Sequence, residues 1–358
     1  MKNHHLFEAA LLRSAVHEVI RGFGCDEEQC ALIADNLVRA NLTGHDSHGV
    51  GMLPRYARAY REGSLQPKAS LQQTKDAGIL LSLDGQMGFG QSIGRQAMDL
   101  AISRTREHGA CIMALGNTHH LGRIGEWAEM AVEHGLVSIH FVNVISRPIV
   151  APWGGSDARY GTNPFAIGIP LRSGDRFILD FATSIIAQGK TRVAYNRGAS
   201  LKPGQMLDDR GQPTTDPVYG VLNPLGALLP FGEHKGFGLA MACELLGGAL
   251  AGGWSVNGPA DGKQRVVNGM LSILFDPSKI AQPENFEEYA QRTIAWIKAS
   301  PPQPEIDRIV LAGETERDIC RERTHNGIPV DTQTWQDILQ SASELGVDSQ
   351  RINRCAGM

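Results

Sequence analysis

The sequence predicts an α/β protein, with a layer of buried strands between mainly helical segments at the two ends of the chain. Three observations support this fold class. Apolar residues recur at helical spacing over residues 6–62, short apolar runs then alternate with helical patterns, and helical patterns return after residue 284. Alternating strands and helices are typical of an α/β layer.

The N-terminal segment is predicted to form helices at 6–23, 26–42 and 49–62. The second helix has a clear start, because Asp26 is followed by Glu27 and Glu28, and acidic side chains stabilise the positive end of the helix dipole. The third helix is expected to end at Gly63.

Apolar runs of strand length and helical patterns fill the rest of the chain. Strands are predicted at 78–84, 110–115, 136–143, 165–170, 177–180 and 269–275. Helices are predicted at 91–107, 122–134, 184–197, 235–251, 284–299, 315–325 and 331–345. The segment 198–230 is rich in proline and turn residues, so we expect a long connection with packing or a function of its own.

Composition excludes several classes of protein. The chain has 358 residues, enough for two domains, and a formal net charge of −4, which gives no basic face for a nucleic acid. No apolar run is long enough to cross a membrane, and the N-terminus lacks the apolar stretch of a signal peptide. The six cysteines form no CxxC pair and are expected to be reduced thiols, which favours a cytoplasmic location.

The segment GHDSHGV places three proton-handling side chains, Asp46, Ser47 and His48, between Gly44 and Gly49. Histidine can give or take a proton near neutral pH, and a neighbouring Asp or Ser can fix its tautomer. We therefore interpret His48 as a candidate general acid and base, oriented by Asp46 or Ser47. The alternative is that Asp46 or Ser47 caps the helix that starts near Gly49.

Four glycines, Gly85, Gly88, Gly90 and Gly94, lie between a predicted strand and helix. Their spacing is not G-x-G-x-x-G, and no strand ending in an acid follows about twenty residues later, so we do not predict a Rossmann dinucleotide site. A turn that packs the helix against the strand is the preferred interpretation.

Two adjacent histidines, His119 and His120, follow a predicted strand, where side chains reach the mouth of an α/β sheet. Neighbouring histidines point to different sides, and no third ligand stands at metal-binding spacing, so no metal is predicted.

Two further segments carry ligand-binding side chains. Thr162 and Asn163 lie in a rigid GTNP turn suited to a small polar ligand, although a long surface loop is the alternative. Asp180 ends a predicted strand, where an acid often contacts ribose hydroxyls or a histidine, and Thr183 and Ser184 are expected to cap the next helix.

His234 and Lys235 directly precede a long apolar helix. Positive charge at a helix N-terminus opposes the helix dipole, so this placement favours a role in anion binding rather than in stability.

Together these motifs resemble the malate/L-lactate dehydrogenase family that lacks a Rossmann fold. The matching strings are GHDSHGV, NTHHLGRIG, APWGG…GTNPF, LDFATSIIAQGK and LPFGEHKGFGL, in family order over residues 10–345. The resemblance implies a mixed sheet, helical N- and C-terminal segments packed together, and a homodimer with its site near the subunit interface. It divides the chain into a mainly helical substrate and dimerisation domain, 1–75 plus 255–358, and an α/β dinucleotide-binding region, 76–254.

The resemblance also implies the activity, an oxidoreductase that uses NAD or NADP to interconvert a 2-hydroxy acid and a 2-oxo acid. The acid/base role falls on His48, and on His120 in some members. Cofactor contacts fall on His48 and on Gly122, Arg123, Ile124, Thr162, Asn163, Ile178, Leu179, Asp180, Phe181, Ala182, His234, Lys235, Gly313, Glu314, Thr315 and Glu316.

The chain departs from many family members at Met52, where those members have an arginine that binds the substrate carboxylate. One branch of the family also lacks this arginine. Another cation must then hold the carboxylate, and Arg55, Arg123 and Arg147 are the candidates. Because Met52 makes the pocket more apolar, we expect a bulky or aromatic 2-oxo acid. A cyclic 2-imino carboxylate reductase and a non-catalytic small-acid binding protein remain alternatives.

Overall fold

The computed structural model describes residues 4–171, 176–254 and 265–358. The first part of the chain forms β1 (His4–Phe7), α1 (Ala9–Arg21), α2 (Glu27–Leu42), α3 (Leu53–Arg61), β2 (Gln72–Ala77), β3 (Leu80–Asp84), α4 (Gly90–His108) and β4 (Ala110–His119). The middle forms α5 (Gly125–Glu133), β5 (Val137–Ile145), β6 (Phe165–Pro170), β7 (Arg176–Phe181), α6 (Gln188–Asn196), β8 (Met206–Leu207), β9 (Pro213–Thr214), β10 (Ala227–Leu228) and α7 (His234–Cys243). The last part forms β11 (Val267–Phe275), α8 (Pro283–Lys298), α9 (Glu314–Asn326), β12 (Ile328–Asp331), α10 (Thr332–Glu344) and α11 (Ser349–Cys355).

The two ends of the chain pack together, as the sequence predicted. Strand β1 pairs with β12 in a two-stranded antiparallel sheet. One apolar core joins α1, α2, α3, α10 and α11, and its fully buried members include Leu12, Ile33, Leu37, Trp335 and Ile352. The pairing of β1 is also the reason that the predicted helix 6–23 begins only at Ala9.

A seven-stranded mixed sheet in the order β2-β3-β4-β11-β5-β6-β7 forms the other core. Strands β3 and β4 are parallel, and the other neighbours are antiparallel. Val267–Phe275 lies between β4 and β5, although the sequence placed 255–358 in the helical domain. The backbone hydrogen bonds assign this strand to the sheet, while the two-domain division itself stays a prediction.

The glycine-rich turn packs α4 against the end of β4, as predicted. A Cβ added at Gly90 would lie 2.2 Å from the carbonyl oxygen of His120, and one at Gly94 would lie 2.6 Å from the Trp127 ring. The amide of His119 donates to the Gly88 carbonyl at 3.0 Å. Because only glycine allows so close an approach, this turn fixes the backbone of both histidines.

The connection 198–230 has packing of its own, as expected. It contributes β8, β9 and β10, which form a small antiparallel sheet. Met206 and Leu228 are buried in an apolar cluster with Val150, Tyr160 and Ala240 of α7.

Several predicted boundaries were wrong. The helix expected over 49–62 is a 3₁₀ turn, Val50–Met52, followed by α3, and another 3₁₀ turn, Asp46–His48, precedes it. The helix expected over 122–134 begins at Gly125, and the one over 184–197 begins at Gln188. After Cys243 the predicted helix 235–251 continues as a π-helical segment, Glu244–Leu250. Within the described ranges, no helix combines the length and apolar character needed to span a bilayer.

Candidate active site

His48 and His120, 72 residues apart in the sequence, form a hydrogen-bonded pair. Nδ1 of His48 lies 3.1 Å from Nε2 of His120, and the rings stack with an interplanar angle of 11°. His48 sits in the first 3₁₀ turn and is half-buried, whereas His120 directly follows β4 and is 6% exposed. The structure therefore brings together the two histidines that the sequence singled out separately.

Tyr56 and Gln91 extend this pair into the protein. The Tyr56 hydroxyl lies 2.7 Å from Nδ1 of His120, and Nε2 of Gln91 donates to the Tyr56 oxygen at 2.8 Å. Both residues are buried. Sequence reasoning missed them because Tyr56 belongs to the apolar face of α3 and Gln91 to the first turn of α4, and no motif distinguishes either from a core residue.

Burial makes the histidines weak bases. Desolvation, followed by the positive charges of His45 and Arg123, lowers the pKa of His48 to about 4. Burial and the neighbouring His48 also hold the pKa of His120 well below its ordinary value. The pair is thus neutral near pH 7 before a ligand binds, so one ring nitrogen of each histidine carries a hydrogen.

His119 is buried beside the pair but does not join it. Its ring contacts the Tyr56 ring edge-on at 5.6 Å, and neither ring nitrogen has a hydrogen-bond partner among the described residues. Burial, followed by Arg55 and Arg265, lowers the pKa of His119 to about 3. The described ranges contain no cluster of three His, Cys, Asp or Glu side chains that could hold a metal ion.

Asp46 does not orient His48, contrary to the prediction. Its carboxylate forms a two-pronged ion pair with Arg323 of α9, at 2.6 and 3.0 Å, and accepts from Asn41 Nδ2 at 2.7 Å. The capping alternative is wrong as well, because the Val50 amide donates to Asn41 Oδ1 instead. The partner that orients His48 is His120.

Ser47 and the flanking glycines shape the loop around His48. Ser47 is exposed, and its Cβ lies 3.6 Å from the position of a Cβ added at Gly189 of α6. A Cβ at Gly49 would lie 2.1 Å from Asn41 Oδ1. Gly44 has φ +85° and faces Ile319 of α9, so the loop needs glycine at both sides.

Arg123 forms buried ion pairs. Its guanidinium is 2% exposed and pairs with Glu129 at 2.5 Å and with Glu126 at 3.3 Å. Arg39 of α2 pairs with the same two glutamates. This ion cluster (Arg39, Arg123, Glu126 and Glu129) joins α5 to α2, which gives Arg123 a structural role, while its expected ligand contact stays a prediction.

Arg55 and Arg147 are the candidate cations that stay available. Both are exposed, and neither guanidinium has an ion-pair or hydrogen-bond partner among the described residues. Desolvation, more than the positive charge of Arg147, lowers the pKa of Arg55. Arg55 also lowers the pKa of His120. Met52 is half-buried and packs against the helical core.

Asn163 forms hydrogen bonds within the fold. Its side chain is fully buried, accepts from the Val144 amide at 2.9 Å, and donates to Glu244 and to the Ala240 carbonyl. The Thr162 carbonyl accepts from Thr183. The GTNP turn therefore joins β5 to α7, and the expected ligand contact of Asn163 stays a prediction.

Asp180 caps a helix. Its Oδ2 accepts from the Gly125 amide at 2.7 Å, at the start of α5, and burial raises its pKa. Thr183 and Ser184 donate to backbone carbonyls and do not cap α6, contrary to the prediction. Asp180 is nevertheless half-buried, so its other oxygen can meet a ligand at the end of β7.

The turn at Gly313–Glu316 lies against the same strand end. The Ile178 amide faces the Ala312 carbonyl, and a Cβ added at Gly313 would lie 3.2 Å from Ile178 Cβ. Glu316 pairs with His45 at 3.5 Å, which connects this turn to the loop of His48. Glu314 instead accepts from the Leu311 amide and pairs with Lys298, whereas Thr315 is exposed.

His234 and Lys235 open α7 and are exposed. Glu233 before them has φ +60°, a conformation that costs backbone energy and recurs at functional sites. Phe231 stacks edge-on against Phe181 at 5.2 Å, so this segment runs beside the end of β7. Of the other predicted contacts, Gly122, Ile124 and Ile178 are buried, and Leu179, Phe181 and Ala182 are half-buried.

Comparisons with known proteins identify the family of the chain. The family model for malate/L-lactate dehydrogenase matches residues 7–339. Hydroxycarboxylate dehydrogenase B of Escherichia coli is 42% identical over 357 residues, which cover 98% of each chain. The solved structure of sulfolactate dehydrogenase from Methanocaldococcus jannaschii superposes with a TM-score of 0.87 at 31% identity, covering 97% of this chain and 99% of that one. Δ1-piperideine-2-carboxylate reductase from Pseudomonas syringae gives a TM-score of 0.81 at 29% identity, covering 95% and 99%.

Proposed function

The chain belongs to the malate/L-lactate dehydrogenase family, and we propose that it is an oxidoreductase that uses NAD or NADP to interconvert a 2-hydroxy acid and a 2-oxo acid. The observation that carries this proposal is the neutral His48–His120 pair beside the unpaired Arg55 and Arg147. Such a site can exchange a proton with the oxygen on C2 of a carboxylic acid through the histidine, while the arginine binds the carboxylate.

The proposed chemistry divides between the side chains and the dinucleotide. When bound, the dinucleotide supplies the hydride that reduces the carbonyl carbon. In the reduction direction His48 takes up a proton from solvent, and its imidazolium donates that proton to the carbonyl oxygen as negative charge develops there. In the oxidation direction a neutral His48 with a bare ring nitrogen accepts the hydroxyl proton. Arg55, with Arg147 near it, holds the carboxylate by charge-assisted hydrogen bonds.

The proposed cofactor site uses the segments around the end of β7. Asp180, the Gly313–Glu316 turn and the Gly122–Ile124 loop lie next to one another there, and His45 connects them to the loop of His48. The exposed His234 and Lys235 suit the phosphates. Lys235→Ala should therefore weaken NAD(P)H binding in a fluorescence titration, whereas Lys190→Ala on the neighbouring α6 serves as the control. Unchanged affinity would refute the role of Lys235.

The substrate is proposed to be a bulky or aromatic 2-oxo acid, because Met52 is an apolar residue where many family members have an arginine. A cyclic 2-imino carboxylate is the second candidate, favoured by the similarity to Δ1-piperideine-2-carboxylate reductase. Oxidation of NADH and NADPH should be followed by absorbance with phenylpyruvate, pyruvate, oxaloacetate and a cyclic imine. Turnover of the imine alone would select the second candidate, and no turnover with any acid would favour a non-catalytic binding protein.

A homodimer is proposed from the exposed apolar side chains of α8. Trp296 is 82% exposed and Tyr289 is 65% exposed, and Glu287 is the buried residue of this sixteen-residue helix. Such a surface is typical of a face that another chain covers. Light scattering of the unmodified protein should give the mass of two chains. In Trp296→Ser the equilibrium should shift from the dimer towards the monomer.

A further inference from the structure

A chain of hydrogen bonds, Gln91–Tyr56–His120–His48, runs from the protein interior to the loop of the candidate acid. The donor–acceptor distances along it are 2.8, 2.7 and 3.1 Å. Every link joins side chains that are buried or half-buried. Because each histidine ring nitrogen is a donor or an acceptor but not both, the direction of one bond determines the direction of the next.

The inner end of the chain sets that direction. Nε2 of Gln91 donates to the Tyr56 oxygen, so the Tyr56 hydrogen needs an acceptor. The acceptor in reach is Nδ1 of His120. Burial also raises the pKa of Tyr56, so the phenol keeps the hydrogen that it donates.

The direction of the Tyr56 hydrogen bond then determines the tautomers of the two histidines. With Nδ1 of His120 accepting, its hydrogen is on Nε2 and is donated to Nδ1 of His48. The hydrogen of His48 is thereby placed on Nε2, which has no hydrogen-bond partner among the described residues. This is the nitrogen that remains for a substrate.

We propose that Tyr56 and Gln91 are positioning residues that set the tautomers of His120 and His48, so that His48 presents Nε2–H to the carbonyl oxygen of the substrate. The inference rests on the function proposed above, and it adds which nitrogen carries the proton and which residues put it there. A chain running the other way, with Tyr56 donating to Gln91 Oε1, would leave Nε2 of His48 without a hydrogen.

The tautomers of His48 and His120 can be measured without an activity assay. Nitrogen NMR of the protein labelled with ¹⁵N-histidine distinguishes protonated from bare ring nitrogens, and His48→Asn and His120→Asn assign the two signals. We expect both neutral rings to carry hydrogen on Nε2. Hydrogen on Nδ1 of His48 would overturn the proposal, even if the protein is an active dehydrogenase. If no 2-oxo acid is turned over, the proposed function fails while the tautomer result stands on its own.

Tyr56→Phe removes the donor to His120 and keeps the ring that packs in the core. The two tautomers of His120 and His48 should then mix, and kcat for 2-oxo acid reduction should fall about tenfold or more, with KM for NAD(P)H unchanged. Tyr60→Phe, one turn along α3, keeps its packing against Phe23 and is the matched control. Native tautomers and native kcat in Tyr56→Phe would contradict the positioning role.

Discussion

The ion cluster next to α5 and the histidine pair after β4 both contain buried ionisable groups, but these groups are stabilised differently. The groups of the cluster are charged and paired, whereas the histidines are neutral and hydrogen-bonded. In the cluster, Arg123 is matched by Glu126 and Glu129, so the buried charge is compensated. In the pair, His48 and His120 are held neutral and share a hydrogen bond. The comparison teaches that the compensated charge holds the fold together, whereas the neutral bases and the unpaired Arg55 are left available for a ligand.

Breaking the ion cluster should have the largest effect on stability. Arg123→Met leaves Arg39 as the remaining cation for Glu126 and Glu129, and removal of one partner of a buried pair costs about 3–5 kcal/mol. Urea denaturation should report this loss. Arg176→Met, which breaks the exposed pair with Glu133, should cost less than about 1 kcal/mol. Equal losses in the two variants would contradict the structural role of Arg123.

Removing the unpaired charge should affect substrate binding and not stability. Arg55→Gln should lower kcat/KM for the 2-oxo acid by roughly 10- to 100-fold, mainly through KM, because a hydrogen bond to a charged group contributes about 1.5–3 kcal/mol. Steady-state kinetics and urea denaturation separate the two effects. Arg58→Gln removes the same charge nearby on α3 as a control. A normal KM in Arg55→Gln would leave Arg147 as the remaining candidate for the clamp.

A buried histidine outside the site offers a third contrast. His140 bonds Ser138 and Ser272 inside the sheet, and burial lowers its pKa from 6.5 to about 3. As pH falls, the unfolded chain therefore binds a proton at His140 before the folded protein does. The contribution of neutral His140 to the free energy of unfolding is complete above pH 6.5 and is lost as the pH falls towards 3. Each such histidine contributes a slope of about 1.4 kcal/mol per pH unit.

In His140→Asn, the free energy of unfolding should therefore depend less steeply on pH below 6.5. The decrease in slope should correspond to about one bound proton. Urea denaturation at neutral and mildly acidic pH measures the slope, with His134→Asn at the surface as the control. The same slope in His140→Asn and the unmodified protein would show that His140 is not held neutral.

The smallest effect is expected at Asp46. Its exposed pair with Arg323 contributes about 0.2–1 kcal/mol, and it does not touch His48 in the structure. Asp46→Asn should thus change turnover less than about tenfold. A loss as large as that from removal of His48 would restore the tautomer role that the sequence suggested for Asp46.

The sequence predicted the elements that depend on local pattern. Helix α2 begins where Asp26 caps it, and the glycine-rich turn packs α4 as its spacing implied. The sequence could not place Val267–Phe275 at the centre of the sheet, because strand order depends on pairing between distant segments. It also missed β1, β2 and α11, whose patterns are short.

The same limit applies to the site. Motifs found His48 and His120, but which residue orients which depends on contacts across 72 residues. Arg55 and Arg123 were equal candidates in the sequence and differ only through the glutamates that α5 brings to Arg123. Asn163 and Asp180 have the residue types of ligand contacts, yet their side chains satisfy buried backbone groups first.

The central claim is that His48 exchanges the proton with the substrate. The most direct measurement is turnover of His48→Asn with the best 2-oxo acid, together with its affinity for NAD(P)H. Loss of a general acid costs roughly 10²–10⁴-fold in rate, so kcat should fall at least about a hundredfold while cofactor affinity stays nearly the same. Near-normal turnover in this variant would contradict the account.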